Sequence, residues 1–266
     1  MKKKNIIIIL ICLIFSSCFL TGCKKQTLTP YEKLTKKEEI KIGVKSDSIP
    51  FGYLENGKYK GFDIDVANAV FSKFFELENK KITFTTVTAQ DKIMKLNSEE
   101  IDFIVAIMSI TPQRLEVVDF TSPYFVAGQA IMIKNDSTIK SIQDLNEQNV
   151  TVILGTTCEK TLRQLAPNSY INGAKTYDEA FLKIKNGETE AIYGDDSILY
   201  GLLLKEKGYK ILNKRYTKEY YAIALRKEKG NEIIKNKLNA IIDELQTSGE
   251  LNKIKQKWIP QTSFLN

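Results

Sequence analysis

Residues 107–124, IMSITPQRLEVVDFTSPY, overlap the apolar run IDFIVAI (residues 101–107) and hold one arginine, Arg114, five positions beyond Ser109. A short, continuous apolar run reads as a strand buried on both faces. Pro112 just beyond it reads as the start of a helical turn, because proline has no N–H to lose there and its φ is already helical. A strand that hands over to a helix at a polar turn is the unit of an α/β protein. Arg114 stands at that handover, and in open α/β sheets ligands sit beyond the strand ends.

Outward from this stretch the pattern repeats. IKIGV, ITFTTVT, QAIMIK, VTVIL, EAIYG and YYAIAL are further predicted strands. Asp63 to Phe75 puts Val66, Val70, Phe71, Phe74 and Phe75 on one helical stripe. The alternation predicts an α/β protein with largely parallel sheets, and the length predicts two lobes. Asn56-Gly57 reads as a hairpin turn, followed by Gly61 and by Asp63 as a helix N-cap. Gly155, Thr156 and Thr157 lie between a strand and a helix, an arrangement that points backbone N–H groups past the strand end.

The N-terminus bears on location. Lys2, Lys3 and Lys4 precede NIIIILICLIFSSCFL, an uncharged run shorter than the about 20 apolar residues that span a bilayer. Basic, apolar and small-residue regions in that order describe an export signal. Leu20-Thr21-Gly22-Cys23 resembles the bacterial lipobox, which implies a lipid on Cys23 and removal of residues 1–22. Residues 23–39, polar and charged, then read as a tether. Three lysines and no acid leave with the signal, so the formal charge of +7 falls to +4 over 244 residues. A mildly basic exported chain suits a small-molecule ligand, not nucleic acid.

Residue usage removes several chemistries. The chain has no histidine, which excludes Ser-His-Asp and Cys-His catalysis and His-ligated zinc. Cys12 and Cys18 lie in the signal and Cys23 takes the lipid, so Cys158 has no partner for an intramolecular disulfide. It reads as an inert buried thiol. No cofactor or metal is expected.

Four blocks carry a wider resemblance: GFDIDVANAV (61–70), DFIVAIMSITPQRLEVVDFTSPYF (102–125), SIQDLNEQNVTVILGTTCEKTL (141–162) and EAIYGDDSILYGL (190–202). In this order they resemble the signature blocks of the extracellular solute-binding proteins of polar amino-acid ABC importers, family 3. The resemblance runs from about Ile40 to the C-terminus. It implies a two-lobed clam shell of the type II periplasmic-binding-protein kind with two hinge strands, near Val126–Gln129 and Lys218–Tyr221. Lobe 1 is then discontinuous, residues 40–127 and 220–266, and lobe 2 is 128–219.

The resemblance also implies roles. Arg114 clamps the α-carboxylate of an amino acid, since a guanidinium fork matches a planar carboxylate with two charge-assisted bonds. Ser109 and the backbone at Ile107 assist, and Thr157 closes the clamp from the other lobe. Asp195 takes the α-ammonium, with Asp196 left as a helix cap. Lys45 and Lys92 resemble the basic residues that the aspartate- and glutamate-binding branch directs at a second carboxylate, although that branch usually has arginine where Lys92 stands. Phe51 or Tyr53 supplies an aromatic floor. The expected protein is a monomeric, lipid-anchored receptor on the outer face of the cell membrane. It binds glutamate or aspartate and passes it to an ABC importer permease, and it is not an enzyme. The alternatives are a glutamine- or cystine-binding receptor of the same family, or a prephenate- or arogenate-dehydratase-like enzyme on the same fold.

Overall fold

The computed structural model describes residues 28–76 and 80–259. The export signal, Cys23 and the start of the tether lie outside the described residues. Two five-stranded sheets share one plan. The first runs Lys81–Thr86, Glu39–Val44, Phe103–Ile104, Glu219–Arg226, Val118–Ala127. The second runs Tyr170–Ala174, Asn149–Ile153, Ala191–Asp195, Gln129–Lys134, Tyr209–Ile211. In each, three parallel strands are followed by one antiparallel strand. The chain crosses from the first sheet to the second between Ala127 and Gln129, and returns between Ile211 and Glu219. This is the expected α/β architecture with its sheets in two lobes.

Burial explains why QAIMIK forms a central strand. Ala130 and Met132 face one core and Ile131 and Ile133 another, so both faces of Gln129–Lys134 are dry. A side chain of this size buried fully contributes roughly 1.5–3 kcal/mol, and a strand with two dry faces needs the continuous apolar run seen here. Under the first sheet's hinge strand, Phe51 packs edge-on to Phe62, Phe125 and Tyr221 with ring centroids 5.6, 5.2 and 5.5 Å away.

Three local readings change. The helix predicted from Asp63 runs Phe62–Phe74 and is preceded by Gly61 at φ 131°, a backbone that an L side chain rarely adopts. IDFIVAI pairs only at Phe103–Ile104, because the chain then turns at Ile107, whose φ of 51° is left-handed and ends regular pairing. Residues 30–35, assigned above to the tether, form a helix closed by a Thr29/Glu32 capping box. Leu34 of that helix is buried, and Tyr31 lies edge-on to Phe74 with centroids 6.3 Å apart. The Asn56-Gly57 turn is as read, with both residues at positive φ between Gly52–Glu55 and Lys58–Lys60. At the far end Trp258, the chain's one tryptophan, donates to Asp65 Oδ2 at 2.7 Å and sits edge-on to Tyr53.

The lobes meet closely. Gln90 Nε2 of the first donates to the Leu154 carbonyl of the second at 2.6 Å. Gly201, in the helix Asp196–Leu203, abuts the hairpin of the first lobe so tightly that a Cβ there would overlap the Ile49 carbonyl oxygen. Gly201→Ala should therefore leave each lobe folded, with unchanged far-ultraviolet circular dichroism, yet hold the lobes apart. Small-angle scattering should show a larger radius of gyration than for the parent chain under the same conditions.

Candidate functional site

Between the lobes is a small cavity. The first lobe lines it with Lys45, Ala89, Lys92, Ala106, Ile107, Ser109 and Arg114, and the second with Ile153, Thr156, Thr157, Tyr177, Asp195 and Ile198. Seven of the eight ligand-binding candidates read from the sequence are therefore on one wall or the other. Phe51 is not: it is fully buried in the aromatic cluster behind the site, and Tyr53 packs against Trp258. The polar wall is instead backed by Tyr221, and the aromatic ring on the cavity surface is Tyr177.

Local structure sets each cation. Thr111 caps the turn Pro112–Leu115 by accepting from the Arg114 N–H at 3.2 Å, and Arg114 Nη1 donates to the Ser109 carbonyl at 2.8 Å. One arm of the fork is thus fixed and the remaining donors are available to the cavity. Lys92 opens the helix Lys92–Asn97 and is almost wholly buried; its Nζ donates to the carbonyls of Ala106 and Ile107 at 3.0 and 3.3 Å. Burial, and then the charges of Arg114 and Lys45, hold its ammonium well below the usual lysine range. Lys45, just past the strand Glu39–Val44, pairs with Asp47 at 3.0 Å.

The carboxylates are held as firmly. Asp195 ends the strand Ala191–Asp195 and accepts from the Tyr221 hydroxyl and, at 3.4 Å, from the Cys158 thiol. Burial, and then the charge of Glu219, push its carboxyl up to about 7. Cys158 is buried and its thiol is pushed well up, chiefly by burial, which makes it a donor to Asp195 and not a nucleophile. Asp196 is not a simple cap: it accepts from the Gly128 N–H at 3.2 Å and pairs with Arg215 at 2.7 Å, tying a lobe crossing to the returning loop.

Several residues of the site were not read from the sequence. Asp63, taken for an N-cap, is buried in the first helical turn and accepts from Tyr124 and from the Ile107 N–H, each at 2.9 Å. Burial raises it to about 6. With its N–H on Asp63 and its carbonyl on Lys92, Ile107 is pinned in its left-handed conformation, so its N–H is not offered to a ligand. Glu219 and Gln129, at the starts of their strands, hold the Thr157 hydroxyl at 3.1 Å each. Nothing in EYYAIAL or QAIMIK marks their leading polar residues as more than strand ends. In the turn before Thr157, the Gly155 N–H is occupied by Glu159, and the helix Thr157–Leu165 opens beside the cavity with no side-chain cap on its first N–H groups.

This geometry can hold a small zwitterion, with cationic donors on one side and a carboxylate on the other. Comparison with known proteins agrees. A family model described as bacterial extracellular solute-binding proteins, family 3, matches residues 40–261. An ABC-transporter glutamine-binding protein of Bacillus subtilis is 36% identical over 242 residues, 90% of this chain and 86% of the relative. A glutamine-binding protein of Geobacillus stearothermophilus is 37% identical over 203 residues, 75% of this chain and 77% of the relative. Among solved structures, an ancestral arginine-binding protein bound to glutamine superposes with a TM-score of 0.77 at 34% identity, covering 85% of this chain and 99% of that one.

The raised carboxyls have a signed consequence. Asp195 and Asp63 hold protons in the folded chain that the unfolded chain has already lost, so their contribution to stability is present at low pH and is lost as pH rises through about 6 to 7. A cation placed on Asp195 needs the ionised form, so affinity for such a ligand should run the other way. Calorimetric scans of the ligand-free chain from pH 5 to 8 should show the difference in midpoint between parent and Asp195→Asn changing with pH in that sense. The affinity of the parent for a cationic-headed ligand should rise over the same range and level off above pH 7.

Proposed function

We propose, for a chain that belongs to family 3 of the bacterial extracellular solute-binding proteins, that it captures L-glutamine outside the cell and delivers it to an ABC importer. Arg114 and the N–H groups opening the helix at Thr157 take the α-carboxylate, and Asp195 takes the α-ammonium. Lys92 meets the side-chain amide oxygen at the far end of the cavity.

The observation that carries glutamine over an acidic ligand is the Lys45–Asp47 ion pair at 3.0 Å. Glutamate or aspartate was expected from the resemblance of Lys45 and Lys92 to the acidic-ligand branch; two free ammonium groups there would leave a neutral side chain with unmatched buried charge. Lys45 already has its carboxylate, and Lys92 rests on two backbone carbonyls with its charge disfavoured by burial. The penalty against an amide is thereby removed. The two glutamine-binding relatives support the same reading.

Titration calorimetry of the ligand-free chain against glutamine, glutamate, aspartate, arginine and cystine tests it. Glutamine should bind tightest; tighter binding of glutamate would overturn the assignment. Arg114→Ala should weaken every ligand by roughly 2–5 kcal/mol, as expected for removing one partner of a buried charge pair. Lys92→Met should cost glutamine about 0.5–1.5 kcal/mol, the worth of one ordinary hydrogen bond, and cost glutamate more.

The lipid anchor belongs to the same proposal. Cys23 carries the diacylglycerol and residues 1–22 are removed, so that the domain stays beside its permease at the outer face of the membrane. Cys23→Ser should shift the protein from the membrane fraction to the soluble fraction or leave it uncut. Membrane retention at unchanged mass would refute the anchor.

A further inference from the structure

Glu219 has no place in the ligand contacts above, yet it is buried, and it stands where the chain re-enters the first sheet. Its two oxygens are both occupied. Oε1 accepts from Gln129 Nε2 at 3.0 Å and Oε2 from the Thr157 hydroxyl at 3.1 Å. Gln129 begins the strand that carries the chain into the second sheet, so Glu219 and Gln129 belong to the two lobe crossings and Thr157 to the cavity wall. The three side chains close a ring, since Gln129 Nε2 also donates to Thr157 Oγ1 at 3.1 Å.

The ring has only one self-consistent set of protons. A carboxylate can only accept, so the Thr157 hydroxyl proton must point to Glu219 and the Gln129 amide must present its NH₂ to both. Turning the amide over would set its oxygen against two acceptors. The arrangement leaves Gln129 Oε1 buried without a hydrogen-bond partner, a cost that marks the orientation as imposed by Glu219. With its one proton committed, the Thr157 hydroxyl has only a lone pair left for the cavity. It can accept from an ammonium but cannot donate to a carboxylate, so any carboxylate contact at Thr157 falls to the backbone N–H groups there.

We infer that Glu219 is a positioning residue that couples both lobe crossings to the binding site by fixing the Thr157 hydroxyl as a hydrogen-bond acceptor for the cationic head of the ligand. This rests on the zwitterion reading of the site but not on which amino acid fills it. Glu219 also places a negative charge near Asp195, and that charge helps raise the Asp195 carboxyl.

Three variants of the full chain test the inference, Glu219→Gln, Thr157→Val and the pair together, with L-glutamine as the probe. Each single change should weaken binding about 5- to 50-fold, and the pair should lose little more than either alone, because both break one unit. Losses that multiply would overturn the coupling. In the ligand-free chain, carboxyl ¹³C titration should show Asp195 ionising at lower pH in Glu219→Gln than in the parent; an unchanged midpoint would likewise overturn it. That titration needs no ligand, and the cycle can be run with glutamate, aspartate or arginine. Preference for one of those over glutamine would refute the glutamine assignment while still deciding the role of Glu219.

Discussion

A charge taken out of water must be answered within a few ångströms or neutralised, and that requirement organises this molecule. Lys45, Lys92, Asp63, Asp195 and Glu219 are all buried between or beside the two sheets, and Arg114 reaches the same space. Each is held by named partners: Asp47 for Lys45, backbone carbonyls for Lys92, and Tyr221 with Cys158 for Asp195. What remains unanswered is part of the guanidinium on one side and a carboxylate of raised proton affinity on the other. A molecule carrying both signs satisfies the two at once, which is why the site selects a zwitterion before it selects a side chain.

The fold serves that end by delivering strand termini from two directions. Lys45 follows one parallel strand of the first sheet, and Asp195 and the Thr156-Thr157 turn follow two of the second. The repeated sheet plan thus points equivalent ends of both lobes at one space. Tyr221 links them physically, since its ring packs in the first lobe's aromatic cluster while its hydroxyl donates to Asp195 in the second. The left-handed turn at Ile107 costs local strain of roughly 1–3 kcal/mol for a branched residue. Asp63 and Lys92 hold it from either side, so the segment carrying Ser109 and Arg114 enters the cavity at one fixed angle.

The sequence made the architecture legible because its signals are local. QAIMIK is apolar at the four central positions, 130–133, that two dry faces demand, and Pro112 and Asn56-Gly57 mark turns by their own backbone limits. Arg114 was legible from the handover of strand to helix at which it stands, and Asp195 and the lysines through the resemblance of their blocks to those of the family. What the sequence did not carry was pairing. Asp47 stands two residues from Lys45, yet nothing in the string says that they meet, and the proposal of an amide ligand rests on that contact. Phe51 was misplaced for a similar reason: an aromatic after a strand fits a cavity floor and a core equally well, and only the rings of Phe62, Phe125 and Tyr221 around it decide. Asp63, Gln129 and Glu219 were missed because a polar residue at the edge of a regular element resembles a cap or a strand end until its distant partners are known.

The setting of Trp258 has a spectroscopic corollary. The chain's one indole is hydrogen-bonded to Asp65 and flanked by Tyr53, on the first lobe and off the cavity wall. Its emission reports the docking of the last helix, not the occupancy of the site. Tyr177 and Tyr221, by contrast, sit on the cavity surface and on Asp195. The intrinsic optical signal of ligand capture in this protein belongs to its tyrosines, and an indole placed at Tyr177 would add an emitter on the cavity surface itself.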